Sequence, residues 1–146
     1  IRAATIDDVG GILDLISPLE QQGILVKRSR ELLETEISRF MVVVHPEGTL
    51  LGCAALYPIG DSLAGELACV ATHPQFHNQG IASRLLKSIE RDARENQLKT
   101  LFVLTTQTAH WFREQGFSEA ALSDLPVEKQ SLYNYQRQSR IFSKAI

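Results

Sequence analysis

Cysteine is scarce in this chain: Cys53 and Cys69 are the two in 146 residues, too few and too far apart for a disulfide framework. Both lie in apolar, strand-like segments, so reduced thiols in a cytoplasmic protein are expected. No apolar run approaches the roughly 20 residues that cross a bilayer, and no signal-peptide pattern opens the chain. A membrane partner is therefore not expected. An excess of either charge is also lacking. Fifteen basic and seventeen acidic side chains leave a net charge of −2, which gives no electrostatic case for nucleic acid. Internal repeats and low-complexity linkers are missing too. What remains, 44% hydrophobic and 22% charged, is the composition of an ordinary globular protein long enough to bury one core. One domain over 1–146 is expected. Its first residue, Ile1, is not Met and falls directly into a structural element, as in a domain cut from a longer chain.

The apolar spacing alternates between strand and helix. A short strand at Ile1 to Ala4 meets Thr5, and Thr5-Ile6-Asp7-Asp8 has the form of a capping box with Asp in the Glu role. Val9, Ile12, Leu13, Ile16 and Leu19 keep helical spacing, with Pro18 expected to end the regular turn. Ser29 is placed to cap a second helix carrying Leu32, Leu33 and Ile37. Phe40 to Val44, the turn Pro46-Glu47-Gly48, and Leu50 to Tyr57 read as a hairpin. Strands are expected at Glu66 to Thr72, Thr100 to Thr105 and Tyr133 to Ile141, and helices at Ile81 to about Asn96 and Ala109 to Gln115, with Gly116 as a C-cap. Hairpins first and a βαβ crossover after them imply an α/β (α+β) fold. Its sheet is expected to be mixed and mostly antiparallel, flanked by helices.

The segment from Glu66 to Leu86 carries most of the chemistry. A strand runs through a loop punctuated by Pro74 into a turn at Gln79-Gly80, and a helix follows at once. Such a helix start gathers unpaired backbone N–H groups at the positive end of the helix dipole, which suits a phosphate or pyrophosphate. Gly80 lets the backbone come close to the phosphates, and Ala82 keeps that approach open. A glycine that merely turns the chain is the plainer alternative. His73 and His77 are four apart, but Pro74 and the lack of a third ligand argue against a metal site.

His77-Asn78-Gln79-Gly80-Ile81-Ala82 resembles the R/Q-x-x-G-x-G/A pyrophosphate loop of the GNAT acetyltransferase superfamily, with His77 where the family has Arg or Gln. The opening Ile1-Arg2-Ala3-Ala4-Thr5 with Asp8, and Trp111 to Phe117, resemble further GNAT segments. In the latter, Phe112 stands at the usual tyrosine position, so no phenol is available there as a general acid. Gly23 to Glu31, Leu51 to Pro58, Gly65 to Ala71, and the stretch from Leu104 to Phe117 continuing into Leu125 to Ser139 are similar to one branch, the N-acetylglutamate synthases of arginine biosynthesis.

That resemblance implies a GNAT acyl-CoA N-acyltransferase fold, acetyl-CoA as co-substrate without a metal, and L-glutamate as acceptor. It also implies an amino-acid-kinase-like domain elsewhere in the full protein; homo-oligomerisation is left open. The implied acetyl-CoA contacts are Cys69, Val70 and Ala71 on the strand, and Gln79, Gly80, Ile81, Ala82 and Ser83 at the helix start. Arg28, Lys129, Arg137 and Ser139 fall in the motifs that hold glutamate. Residues 127–146 carry four basic side chains and one acidic one, and forked guanidinium groups suit carboxylates. Without the resemblance, a solvated basic surface is the preferred reading of these charges. Along a last strand, Arg137 and Ser139 would share a face and Arg140 would point away, which ranks Arg140 lowest.

Three residues are candidates for the chemistry itself. Glu66 is the candidate general base, because an amino acid's ammonium must lose a proton before it attacks; a Glu in solvent or in a salt bridge is the commoner fate. Glu66 and Cys69 are three apart, so they share a site only if the strand is bulged. Cys69 is a nucleophile, a partner for the leaving thiolate, or a small core residue. Thr105 either serves the departing sulfur as an acid or caps the turn from Thr106 to His110. The rival functions are a GNAT enzyme for another small amine or a protein N-terminus, and a non-catalytic acetyl-CoA sensor.

Overall fold

The structure, a computed structural model, describes residues 1–76, 79–130 and 139–146. These form two compact units, Ile1–Leu56 with Cys69–Ile89 and Tyr57–Ala68 with Glu90–Ile146. The described residues make seven strands and five α-helices.

In the first unit, β1 (Arg2–Ala3) pairs antiparallel with β2 (Phe40–Val44), and β2 with β3 (Leu50–Pro58), giving the order β1-β2-β3-β4 as far as the second half of β4 (Ala64–Thr72). The expected hairpin is present, with Phe40 opposite Ala55 and Val43 opposite Gly52. Helix α1 (Val9–Gln21) opens on the predicted box: the Thr5 amide donates to the Asp8 carboxylate at 2.7 Å. The same carboxylate receives the Arg2 fork at 2.7 and 3.0 Å. Pro18 does not end α1. It lies inside the helix, and its carbonyl still accepts the Gln22 amide at 3.2 Å. Near a helix end, proline forfeits a single backbone donor, and the buried stripe Val9, Ile12, Leu15 and Ile16 holds the rest. Ser29 caps α2 (Arg30–Thr35) as predicted, its hydroxyl accepting the Leu32 amide at 3.1 Å.

Two glycines let helices lie close to β3. A Cβ on Gly11 of α1 would stand 2.6 Å from Leu50 Cδ1. One on Gly52 would stand 2.7 Å from Ile81 Cγ2 and 3.2 Å from the Ala71 carbonyl oxygen. Ile81 begins α3 (Ile81–Glu95), whose buried stripe runs through Leu85, Leu86, Ile89 and Ala93.

The second unit has the order β4-β5-β7-β6. The first half of β4 pairs parallel with β5 (Thr100–Thr105), with Glu66 opposite Phe102. β5 pairs antiparallel with β7 (Arg140–Ala145), and β7 with β6 (Ser118–Ala120). Ile59, Ala64, Phe102, Leu125 and Ile141 form its core cluster. β7 runs past the expected end at Ile141 to Ala145, with Ile141 and Phe142 buried opposite Leu104 and Val103. Residues 133–138 lie outside the described residues. Ser139 precedes β7, and Arg137, expected to share a face with it, is among those residues. Arg140 is engaged at the surface with Glu119 of β6 at 2.5 Å. Helix α4 (Ala109–Glu114) ends at Gly116, whose φ of +94° is that of a C-terminal glycine cap. Among the described residues, no helix is long and apolar enough to cross a membrane.

The Arg2 fork, with the Thr5 amide, holds the Asp8 carboxyl below its ordinary value of 3.8. A lowered folded-state value stabilises the fold above the unfolded value, and that contribution is lost as pH falls through the folded one. Asp8→Asn should therefore destabilise the protein at pH 7 by about 1 kcal/mol, the scale of a lost cap. The gap should narrow as pH falls below the ordinary aspartate value of 3.8 and close once the folded carboxyl is itself protonated. Urea midpoints of both proteins across this range measure it; a gap that persists at low pH would contradict the assignment.

Candidate active site

The first unit contains the end of β4 and the start of α3, the two segments expected to contact the cofactor. Cys69 has φ +55°, the left-handed region, inside a strand. This is a local departure from regular strand dihedrals, although burial alternates without a break through Leu67, Cys69 and Ala71. The Cys69 carbonyl accepts the Cys53 thiol at 3.4 Å. Cys53 is fully buried, and that burial pushes its thiol well above the ordinary range, so it serves as a packing residue.

Beyond the strand, the His73 amide donates to the Leu51 carbonyl at 2.8 Å, and His73 Nδ1 accepts the Gln75 amide at 3.1 Å. Gly80 has φ +75° and accepts the Arg84 amide at 3.0 Å. This bond spans the first turn of α3, and the amides of Ile81 and Ala82 precede it in the chain. A Cβ at Gly80 would meet nothing within 4 Å, so its backbone conformation, rather than crowding, is what calls for glycine. Arg28 is also in this unit. Its amide donates to Glu20 at 2.7 Å and its guanidinium to the Val26 carbonyl at 3.2 Å.

The second unit holds Glu66, Thr105, Lys129 and Ser139. Lys129 Nζ, on α5 (Val127–Gln130), lies 2.7 Å from Glu66 Oε1, with the two side chains 20% and 18% exposed. Thr105 is buried; its hydroxyl accepts the Thr108 amide at 3.1 Å and pairs with the Thr108 hydroxyl at 2.7 Å. These are the bonds of the capping alternative. Ser139 is buried as well. Phe112, the residue at the usual tyrosine position, is buried edge-on to Trp111 and Phe117, at 4.9 and 5.5 Å between ring centroids.

Arg137 and His77 lie outside the described residues. Sequence reasoning missed three features: the close approach at Gly52, the Cys53 thiol on Cys69, and the Glu66–Lys129 pair. Each is a tertiary contact between residues distant in sequence. The glycine inside an otherwise apolar strand was the one local sign of the first. Among the described residues, no group of three or more His, Cys, Asp or Glu is placed to hold a metal.

Residues 11–117 match the acetyltransferase (GNAT) family. The amino-acid acetyltransferase of Pseudomonas putida strain GB-1 is 60% identical over the whole chain, and that of Azotobacter vinelandii 59%. In both cases the chain spans 34% of the relative's length. Among solved structures, N-acetylglutamate synthase from Neisseria gonorrhoeae, complexed with coenzyme A and N-acetyl-glutamate, matches 99% of the chain at 42% identity and a TM-score of 0.95. The match covers 34% of that protein. A Mycobacterium tuberculosis protein complexed with CoA matches with a TM-score of 0.84 at 25% identity, over 99% of this chain and 98% of its own.

The role of Gly52 is open to test. Gly52→Val drives a side chain into Ile81 and Leu85, an overpacking change that costs about 1–3 kcal/mol. Amide exchange in the first turn of α3 should accelerate, with β5 unaffected. Equal acceleration in β5 would mean general destabilisation instead.

Proposed function

Because the chain belongs to the acetyltransferase (GNAT) family, we propose that it transfers acetyl from acetyl-CoA to the α-amine of L-glutamate, giving N-acetyl-L-glutamate and free CoA. One observation carries the catalytic part of this reading. The carboxylate Glu66 lies on β4, three residues before the left-handed Cys69 of the same strand. The choice of glutamate is supported by the likeness to a synthase solved with N-acetyl-glutamate. The chain spans about a third of its curated relatives, and the reading applies to it as the acetyl-transferring part of a longer protein.

In this proposal the backbone amides of residues 79–83 receive the pyrophosphate, with Gly80 allowing the close approach. Amides at Cys69 and Val70, beside Ala71, receive the thioester oxygen as it gains charge. Glu66 takes a proton from the substrate ammonium, directly or through a water. The amine nitrogen then bonds to the acetyl carbon, the carbon–sulfur bond breaks, and the thiolate leaves to be protonated. Cys69 packs beside this chemistry rather than carrying the acetyl group, since no cationic side chain adjoins it in sequence to make a thiolate. The Thr105–Thr108 hydroxyl pair is assigned to the departing sulfur. Arg28, Ser139 and, on sequence grounds, Arg137 are assigned to the substrate carboxylates.

Mass-spectrometric product detection with acetyl-CoA and a panel of amino acids tests the reaction. N-acetylglutamate is the expected product; acetylation of some other amine alone, or CoA binding without any product, would replace this reading. Glu66→Gln should lower kcat by about 10²–10⁴, the usual contribution of a positioned base. Full turnover in that variant at neutral pH would remove Glu66 from the role.

A further inference from the structure

The contact that the proposed reaction leaves unexplained is the one between its base and a lysine. Glu66 and Lys129 come from different elements, β4 and the short helix α5, and meet at 2.7 Å with about four-fifths of each side chain buried. An exposed surface pair of this kind would mean little. Here both charges are largely withdrawn from water, so separating them without a replacement leaves each one poorly solvated. Lys129 engages one of the two carboxylate oxygens, Oε1, and its positive charge repels a second ammonium approaching the same carboxylate. The pair as it stands opposes the approach of any amine to Glu66.

We infer that Lys129 is a substrate-operated latch on Glu66: it pairs with the carboxylate and transfers to the side-chain carboxylate of an incoming dicarboxylic amino acid. The exchange replaces one ion pair with another of the same kind, so it needs no unpaired intermediate charge. It frees Glu66 for the α-ammonium at the moment when Lys129 has been neutralised by the substrate. An amino acid with a neutral side chain has nothing to offer Lys129 and meets a closed base. Lys129 is thus a positioning residue that places acceptor discrimination in kcat as well as in KM. This inference rests on the assignment of Glu66 as base and of glutamate as substrate.

L-glutamate and the nearly isosteric L-glutamine separate the possibilities. In the wild-type protein, kcat should be higher with glutamate. In Lys129→Met, kcat with glutamine should rise and the glutamate-to-glutamine kcat ratio should fall by at least about tenfold. Lys129→Arg, which keeps the cation, should restore the ratio. A Lys129→Met protein that keeps the ratio and changes only the KM for glutamate would make Lys129 a plain substrate ligand, and unchanged constants would make the pair merely structural; either result overturns the latch.

A second measurement needs no variant that has to fold. With the Glu66 carboxyl followed by carbon-13 NMR in wild-type protein holding CoA, L-glutamate should move the resonance and L-glutamine should leave it in place. Equal shifts with both overturn the proposal. A wild-type protein that forms no N-acetylglutamate refutes the proposed function. One that forms it while Lys129→Met retains the kcat ratio refutes the latch alone.

Discussion

The left-handed backbone at Cys69 is the constraint on which the site depends. A non-glycine residue in that region costs about 1–2 kcal/mol, and an apolar strand has no reason of its own to bear it. The boundary between the two compact units falls at the same residue. Before it, β4 is an ordinary parallel partner of β5, with Glu66 opposite Phe102. From Cys69 onward the strand belongs to the unit that contains the cradle. The Cys53 thiol donates to the carbonyl of this unusual residue, so a fully buried, unreactive cysteine has a structural task beside it. The two cysteines that made so poor a case for a disulfide therefore matter as neighbours, one for its backbone and one for its side chain.

From this strand the cradle follows by close packing. Helix α3 can begin where it does because Gly52 has no Cβ to hold Ile81 and Leu85 away, and interiors at close-packed density pass such a displacement on to the backbone. Gly80 then turns the chain, and its carbonyl accepts the Arg84 amide across the first turn of α3. In the proposed reading positions 79–83 contribute main-chain groups, so His77 in place of Arg or Gln leaves that backbone cradle intact. Phe112 is consistent with this division of labour. The usual tyrosine is replaced by a ring packed edge-on between Trp111 and Phe117, so the position keeps its packing and gives up its hydroxyl.

Local chemistry was legible in the sequence. The Ser29 cap, the Thr5–Asp8 box and the limits of β5 could be read from residues a few places apart, where hydroxyls, carboxylates and β-branched runs dictate geometry directly. Pro18 misled because a proline forfeits a single hydrogen bond while a buried stripe along α1 holds four apolar side chains. The last strand runs past its expected end at Ile141, because Phe142 also buries against β5 and the pairing continues to Ala145. β6 is three residues long and has no periodicity to detect. The candidate site divided in the same way. Its glycine and its carboxylate were visible as residues, but the lysine that meets the carboxylate was visible only as one charge among several.

The cations of the closing segment show why counting charges could not go further. Lys144 reaches Glu90 at 2.6 Å, with the carboxylate 7% exposed, so Lys144 is committed to the fold. Its stem also lies where a Cβ on Gly116 would stand 3.3 Å from Cε. Arg140 is spent at the surface on Glu119 and over the ring of Phe142, 5.4 Å from its centroid. Lys129 differs from both in the identity of its partner, which is the one carboxylate that the proposed chemistry requires to change partners. A cation paired with an inert acid is fixed for the life of the fold. A cation paired with a base can leave only when something of equal charge takes the base's place, and a dicarboxylic acceptor brings such a group with it.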